Sequence, residues 1–299
     1  MAEAGSNRHP NASSNGGGRT PDEARPSVGT ARRKTPWPLV IIAVLFVVVP
    51  FLAWYGTWFG RELTDAQIEE YLAEDKPRHV QHALSQIEKR IARGDAGAAR
   101  WYGRVAALAE SQEKEVRLTA AWVMGADTRS EEFHEKLLRL LEDAEPVVRR
   151  NAALSLVGFK DARALPELRA MLKPYSVRAD RDGTAHTALT EGSRVRREAL
   201  LVRATDAAGA VFDLRSPLEG KVERAAVKDG ERFTKGSELF VLAPDAVSVG
   251  DALRALGRVG GPEDLPELER YARGVEGMPD FAAKRAGQSA EEIKRRAAR

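Results

Sequence analysis

Histidines are the residues of this chain whose type and spacing come nearest to a catalytic or metal-binding pattern. His79 and His82 lie three residues apart, which would place two imidazoles on one helix face as potential metal ligands. No third ligand is evident near them, so a solvated or capping role is favoured. His134, within residues 131–135, could form an acid/base pair with a carboxylate, although this charged run is more typical of the outer face of an amphipathic helix. His186 falls on a predicted strand without a companion.

Other catalytic chemistry has no signature in the sequence. The chain has no cysteine, which excludes disulfides, thiol nucleophiles, iron–sulfur clusters and cysteine-ligated zinc. It also has no nucleophile elbow, no phosphate-binding loop of the Walker type, no His-Glu-x-x-His pair and no dinucleotide-binding glycine pattern. We therefore predict that the protein is not an enzyme, and that it has no catalytic residues, cofactor, metal ion or small-molecule substrate.

Composition and charge indicate a folded protein that does not bind nucleic acid. Of 299 residues, 43% are apolar and 30% are charged, which is ordinary for globular domains. Basic residues number 47 and acidic residues 44, so the net charge of +3 gives no broad phosphate-binding surface. The length allows several modules, and the patterns below predict an α+β multidomain chain.

The amino-terminal part of the chain has the pattern of a tail followed by a membrane anchor. Residues 1–36 are rich in Gly, Ser, Asn, Pro and Arg and predict a disordered segment. Residues 37–59 carry an uncharged apolar run with aromatic residues at both ends, which predicts a transmembrane helix with a proline, Pro50, inside it. The alternative of a cleaved signal peptide is disfavoured, because the bulky end at 54–59 offers no small-residue cleavage site.

Charge on either side of this segment predicts its orientation. Six basic residues precede it against three acidic ones, whereas residues 61–78 are predominantly acidic. The positive-inside tendency then places the tail in the cytoplasm and everything after residue 60 in the periplasm. The sequence therefore predicts a single-pass protein of the bacterial inner membrane that contacts the lipid bilayer through residues 37–59.

Helical periodicity with internal repetition begins after residue 60. Val116–Trp122 aligns with Val148–Leu154, and the run Leu165–Leu168 recurs as Leu265–Leu268. A Val-Arg start, a small-residue stretch, a glycine at the turn and a Leu-Pro-x-Leu second helix resemble HEAT repeats, which implies paired helices over 60–175 and again over 246–276. Trp122 is predicted to pack in the core, with docking of a partner as the alternative.

Between these helical segments, a β-rich half-motif is written twice. Residues 177–205 align with residues 214–244, matching Gly183 to Gly220 and Leu201 to Leu239. Each copy alternates short strands with glycine-centred turns, so neither can bury its apolar face alone. The duplication predicts two halves that sandwich each other with pseudo-two-fold symmetry.

The second copy has a sequence pattern similar to that of a known β domain. Ser216-Pro217, Gly220-Lys221-Val222, Gly230, Lys235-Gly236 and Leu239–Leu242 resemble the biotinyl/lipoyl domain, a small barrel-sandwich hybrid. In carrier members of that family, a lysine at the hairpin between the halves holds the cofactor. The corresponding run 204–211 has no lysine, so the resemblance is to the unmodified version found in HlyD-like membrane fusion proteins.

The spacing of the helical repeats predicts that this β domain is an insertion. The two Leu-Pro-Glu-Leu runs start at 165 and 265, a separation about 68 residues longer than one repeat, which is nearly the length of the β motif. We therefore place the β domain at 176–245, bounded by proline-containing loops. Residues 277–299 are predicted to form a basic helical tail opened by a capping box of Ser289 and Glu292.

Arginines concentrate in the first half of the β motif. They could bind an acidic partner or anionic headgroups, or they could simply protect a strand edge, which is the interpretation favoured here. The residues are Arg178, Arg181, Arg194, Arg196, Arg197 and Arg203.

Together these patterns predict a membrane-anchored periplasmic scaffold or adaptor, an accessory subunit of a larger membrane complex that binds protein partners through its helical repeats and β domain. One alternative is a component of an efflux or secretion system similar to membrane fusion proteins. Another is an accessory subunit of a respiratory or electron-transfer complex.

Overall fold

The computed structural model describes residues 37–58 and 62–298. The chain divides into two compact units, with the boundary between Arg61 and Glu62. In the first unit, helix α1 spans Trp37–Trp58 and contains Pro50. The predicted disordered tail, residues 1–36, lies outside the described residues.

The predicted membrane span is corrected by the structure. Within residues 37–58 and 62–298, no helix is both long enough and apolar enough to cross a membrane. The predictions of a single transmembrane helix and of a single-pass inner-membrane location, with a cytoplasmic amino terminus and a periplasmic remainder, are therefore wrong.

The second unit contains ten α-helices around a β region. Seven precede the strands: α2 (Asp65–Ala73), α3 (Pro77–Ala92), α4 (Tyr102–Ala107), α5 (Lys114–Met124), α6 (Glu131–Leu140), α7 (Pro146–Leu156) and α8 (Leu165–Ala170). Three follow them: α9 (Ala246–Val259), α10 (Leu265–Ala272) and α11 (Asp280–Ala297). Short 3-10 turns cover Ala96–Trp101, Leu108–Glu110, Ala162–Ala164 and Pro262–Asp264.

Helix starts follow ordinary capping chemistry. Thr64 and Gln67 form a capping box at α2, and the Ser130 hydroxyl accepts a hydrogen bond from the Phe133 amide at α6. Pro77 and Pro146 occupy the first turns of α3 and α7, where the missing amide hydrogen costs nothing. Local sequence therefore fixes where the repeat helices begin.

The first helices of successive repeats stack side by side. Helix α3 packs on α5, α5 on α7, α7 on α9 and α9 on α11. Polar bonds fix the register between α5 and α7, because Asn151 Nδ2 donates to the Leu118 carbonyl at 2.8 Å and Ser155 Oγ to the Ala121 carbonyl at 2.9 Å. Fully buried alanines such as Ala153 let these helices approach closely.

Equivalent arginines repeat the same contact one unit apart. Arg117 Nη1 donates to the Ser111 carbonyl at 2.9 Å, and Arg149 Nη1 donates to the Asp143 carbonyl at 2.7 Å. Each arginine thereby ties its helix to the loop before it. The predicted alignment of residues 116–122 with 148–154 thus corresponds to real structural repetition.

Eight strands lie between α8 and α9. They are β1 (Tyr175–Arg178), β2 (Gly183–Ala188), β3 (Arg194–Val195), β4 (Leu200–Thr205), β5 (Val211–Arg215), β6 (Gly220–Ala225), β7 (Arg232–Phe233) and β8 (Glu238–Pro244). One antiparallel sheet has the order β1-β8-β6-β3 and the other β5-β4-β2-β7. Replacing each strand of the first sheet by the strand four places along the chain, counting on from β8 to β1, gives the order of the second sheet. The predicted pseudo-two-fold relation is therefore present in the topology.

The two sheets are open, which corrects the barrel that the resemblance to the biotinyl/lipoyl domain implied. Among the described residues, no ladder joins an edge strand of one sheet to the other sheet, so hydrogen bonding does not continue around the unit. Their apolar faces meet in one core that includes Val202, Val222, Phe240 and Leu242, all at most 1% exposed. The resulting structure is a helical repeat region with two small antiparallel sheets, and we call residues 175–244 the β unit.

Helices on either side of the β unit contact each other directly. Helix α8 packs on α9, and the Arg169 guanidinium donates to Asp264 at 2.6 Å. The Tyr271 hydroxyl donates to the Leu172 carbonyl at 2.9 Å. The helices before and after the β unit therefore form one continuous stack, and the β unit is an excursion of the chain between α8 and α9.

The domain limits 60–175, 176–245, 246–276 and 277–299 remain predictions.

The last helix starts earlier than the sequence suggested. Helix α11 begins at Asp280, so Ser289 lies inside it and does not cap it. Ser289 is buried against α9, where a Cβ on Gly257 would lie 2.6 Å from its hydroxyl. Close approach of the two helices, and not capping, accounts for this serine and glycine.

Candidate partner-binding site

One face of the helical stack forms a cavity of about 500 Å³ together with the β unit. Helices α5, α7 and α9 provide one wall, and the loops around β3–β6 provide the other. Apolar side chains make up much of the lining. The residues from the helices and their caps are Leu118, Thr119, Trp122, Val147, Arg150, Asn151, Leu154, Met171, Asp245, Val247, Ser248 and Asp251, and those from the β unit are Arg197, Leu218 and Glu219.

Two ion pairs hold the β unit against the helices beside this cavity. Arg197 Nη1 lies 2.7 Å from Glu115, and Lys114 Nζ lies 2.6 Å from Glu198. The hydrogen bond to Glu198 raises the pKa of Lys114. Because both pairs connect α5 to the segment after β3, they fix the position of the second cavity wall.

Trp122 is exposed at the cavity, which corrects the prediction that it packs in the core. Its exposed fraction is 45%, whereas most of the apolar residues around it on α5 are buried. Val247, at the start of α9, is 69% exposed and lines the same cavity. Exposed tryptophans bordered by apolar surface are typical of docking sites for partner proteins.

Arg150 is the buried charge of the site. The residue is 7% exposed, and its Nε has no hydrogen-bond partner among the described residues. Its nearest carboxylate is Glu167, with Oε1 at 3.7 Å from Nε, and the guanidinium lies 5.9 Å from the Tyr175 ring. Burial lowers the pKa of Arg150, while the nearby charges of Glu167 and Asp245 oppose that shift.

The predicted histidine pair belongs to a different surface. His79 Nδ1 lies 2.9 Å from Glu74, and its ring stacks on Tyr71. His82 approaches Gln86 instead, and burial lowers its pKa. Over residues 37–58 and 62–298 no cluster of three metal-binding side chains was found. The capping role of these histidines remains a prediction.

His134 forms the carboxylate pair that its sequence context allowed. His134 Nε2 lies 2.7 Å from Asp161, and its ring stacks on Phe159. One repeat earlier, the Tyr102 hydroxyl donates to Asp127 at 2.8 Å in the equivalent place. Because the arrangement recurs with a different aromatic residue, it indicates a link between repeats and not acid/base chemistry.

His186 and three of the six predicted arginines, Arg178, Arg181 and Arg203, have partners within the β unit, whereas Arg197 pairs with Glu115 of α5. His186 Nε2 lies 2.5 Å from the Thr205 hydroxyl. Arg203 pairs with Asp213 at 2.8 Å, and Arg181 lies over the Phe212 ring. This local pairing is consistent with the edge-protection interpretation, which stays a prediction.

Sequence reasoning missed Arg150, although the repeat alignment carried a signal. The aligned positions are Leu118 in the preceding repeat and, from the match of Ala153-Leu154 with Ala252-Leu253, Val249 in the following one. An arginine in an otherwise apolar repeat position departs from the local pattern, and such departures are expected at functional sites.

Comparison with known proteins confirms helical repeats in part of the chain. Residues 103–182 match a family model described as HEAT repeats. This match covers the aligned units at α5–α8 and confirms the predicted HEAT repeats there. No curated protein matches the sequence.

Two solved structures show limited similarity. The complex of CpcE and CpcF of phycocyanin lyase from Nostoc sp. PCC7120 is 16% identical, with a TM-score of 0.45 over 80% of this chain and 68% of that one. A single-chain, multi-domain long-chain acyl-CoA carboxylase is 19% identical, with a TM-score of 0.23 over 41% of this chain and 14% of that one. The second match therefore spans only a small part of the carboxylase chain.

The prediction that the protein is not an enzyme is contradicted by the first of these matches, because the matched complex is a lyase. That prediction is withdrawn. At this level of identity and TM-score, the match assigns no reaction to the present chain. The lipoyl-like resemblance of the β unit is not confirmed by these matches.

Proposed function

We propose that the protein is a docking scaffold, an accessory subunit of a larger assembly that binds a protein partner in the cavity between the helical stack and the β unit. The observation that carries this proposal is the 45% exposure of Trp122 on a helix where most of the other apolar residues are buried. A large aromatic side chain at the edge of a cavity supplies contact area at little entropic cost, as in the central residues of protein interfaces.

The architecture around the cavity supports a partner protein. Stacked helical repeats expose extended concave surfaces, and HEAT repeats are present in this part of the chain. The β unit, which resembles unmodified lipoyl-type modules, adds Leu218 and Glu219 to the opposite wall. We infer that the β unit narrows the open surface of the stack, so that a partner contacts both regions.

A binding comparison between two surface variants tests the proposal. The full chain, its Trp122→Ser variant and a control Val211→Ser variant are immobilised and incubated with extract from the source cells. Val211 is 65% exposed on β5 and does not line the cavity. We expect proteins retained by the wild type and by the control to be depleted at least about ten-fold by Trp122→Ser, a loss of about 1.4 kcal/mol.

The retained proteins are then purified and titrated against the same three chains. A direct interaction weakened only by Trp122→Ser would support docking at the cavity. Equal affinity for all three chains would reject it, because the exposed indole would then make no contact with the partner.

A further inference from the structure

Arg150 replaces an apolar residue at one position of the helical repeat. Leu118 and Val249 fill the aligned positions of the neighbouring repeats, so packing of the stack requires only an apolar side chain there. Burying a guanidinium in the same place carries a desolvation cost of several kcal/mol unless hydrogen bonds and opposite charge compensate. The position therefore calls for a compensating contact that the neighbouring repeats do not need.

Contacts within the described residues compensate this charge only in part. Glu167, at 3.7 Å from Arg150 Nε, is beyond hydrogen-bond distance and also lies 3.4 Å from Arg149. Asp245 accepts hydrogen bonds from the Val247 and Ser248 amides at the start of α9. A guanidinium has five donors in a planar fork. The Nε of this one is unpaired but enclosed by protein, so an occupant of the cavity would bind the terminal Nη atoms of the side chain, which is part of the cavity lining.

The surroundings of Arg150 define what could complete its bonding. Leu154 lies one helical turn further along α7, so a charged and an apolar contact are about 6 Å apart on the same wall. Trp122 lies at the corresponding position of α5. An occupant that contacts both the guanidinium and the apolar side chains needs an anionic group that can accept two parallel hydrogen bonds, next to an apolar group. An apolar amino acid with a free carboxylate has that arrangement.

We propose that the cavity binds the carboxyl-terminal residue of a partner protein, with its main-chain carboxylate on Arg150 and its apolar side chain against Trp122 and Leu154. This inference rests on the proposed function and specifies the partner. A terminal residue carries both groups on one Cα and is small enough for a cavity of about 500 Å³, whereas an internal acidic residue bears its carboxylate on its own side chain and would need a second residue for the apolar contact.

Two matched small probes test this proposal on the full chain. N-acetyl-L-leucine has the free carboxylate of a chain end, and N-acetyl-L-leucinamide has the same shape without the charge. Binding is measured by ligand-observed NMR. We expect the acid to bind at least about ten-fold more tightly than the amide, because only the acid can pair with Arg150.

Variants assign the preference to the site. Arg150→Met should bring acid and amide to within about two-fold of each other, Arg150→Lys should keep part of the preference, and the control Arg139→Met should keep all of it. Arg139 lies on α6 and its side chain is 68% exposed. Circular dichroism shows whether each variant is folded. If Arg150→Met is not folded, the acid-over-amide preference of Arg150→Lys tests the proposal instead.

Equal binding of acid and amide, no binding of either, or an unchanged preference in folded Arg150→Met or Arg150→Lys would overturn the proposal. Arg150 would then only hold the ends of the β unit, next to Tyr175 and Asp245. If the probes contradict carboxylate binding but Trp122→Ser still loses the retained proteins, the docking function remains supported. Retained partners in that variant would reject the docking function itself.

Discussion

The helical stack and the β unit both arise from repeated sequence, but they combine their copies in different ways. In the stack, each copy lies beside the next, and contacts join neighbours such as α5 with α7. In the β unit, the copies interleave, so that β8 pairs with both β1 and β6 and each sheet takes strands from both halves. A defect in the stack should therefore stay near its repeat, whereas a defect in the β unit should affect both halves.

The largest expected effect comes from removing one phenylalanine in each region. Phe240 in β8 and Phe133 in α6 are both fully buried. Substitution by alanine should lower the free energy of unfolding by about 3–5 kcal/mol in either case, through lost burial and cavity formation. Hydrogen exchange should show faster exchange across both sheets in Phe240→Ala, but only around α4–α7 in Phe133→Ala.

Exchange confined to β6 and β8 in Phe240→Ala would contradict the interleaved arrangement, because the second copy would then be unfolding by itself. Val211→Ser, on the exposed surface of β5, is the control and should leave exchange unchanged.

Two glycines related by the pseudo-two-fold axis sharpen the comparison within the β unit. A Cβ on Gly220 would lie 2.4 Å from the Ala243 carbonyl oxygen, whereas a Cβ on Gly183 would meet the ring ends of Phe212 and Phe233 at 2.8 and 3.0 Å. Backbone in a ladder cannot move aside as a ring can. We expect Gly220→Ala to cost about 3 kcal/mol and Gly183→Ala about 1 kcal/mol in urea unfolding. Equal costs would mean that the two sites relax equally well.

Closure of the stack across the β unit depends on a charged contact. Arg169 donates to Asp264 at 2.6 Å, and that aspartate is only 4% exposed. Arg169→Met should lower the free energy of unfolding by about 2 kcal/mol, because it leaves a buried carboxylate with fewer partners. Arg270→Met, at an exposed pair with Glu267, should change it little. Similar effects of the two variants would show that α8 and α10 do not depend on this contact.

The smallest expected effect concerns acid stability in the helical repeats. Hydrogen bonds from Arg129, with a further one from Tyr102, lower the pKa of Asp127 from an ordinary 3.8 to about 2. A folded-state pKa below the unfolded one stabilises the protein above about pH 4, and this contribution is lost as the pH falls toward 2. Asp127→Asn should therefore be about 1–2 kcal/mol less stable than wild type at pH 7, with the difference shrinking below pH 4.

Urea unfolding at several pH values measures that difference, with Asp229→Asn on an exposed turn of the β unit as the control. A difference that stays constant from pH 7 to pH 2 would show that ionisation of Asp127 does not contribute to stability.

The repeated segments were the part of the fold that sequence could predict. Turn glycines and apolar positions recur at fixed spacing, so the alignment of Gly183 with Gly220 and Leu201 with Leu239 anticipated strands β2 with β6 and β4 with β8. Helix pairs followed from the match of residues 116–122 with 148–154. Such patterns are local, and local patterns determine element type.

Placement of single residues was less predictable because it depends on which surfaces meet. Trp122 is a large aromatic residue in an apolar segment, which is typical of a core position, but its side chain faces a cavity. Ser289 has the spacing of a cap but packs inside α11 against Gly257. An alternating strand pattern likewise does not distinguish open sheets from a closed barrel. Apolar composition alone predicted the membrane span that no described helix provides.

The interleaved strand order also has a consequence for synthesis of the chain. Strand β1 has its ladder with β8, and about 60 residues separate Arg178 from Glu238. At translation rates of about 5–20 residues per second, β1 waits roughly 3–12 s on the ribosome before its partner is made. The contact of α8 with α9 is delayed further, because Ala170 and Ala246 are 76 residues apart. The nascent chain therefore exposes an unpaired strand and an open helix face together during this interval.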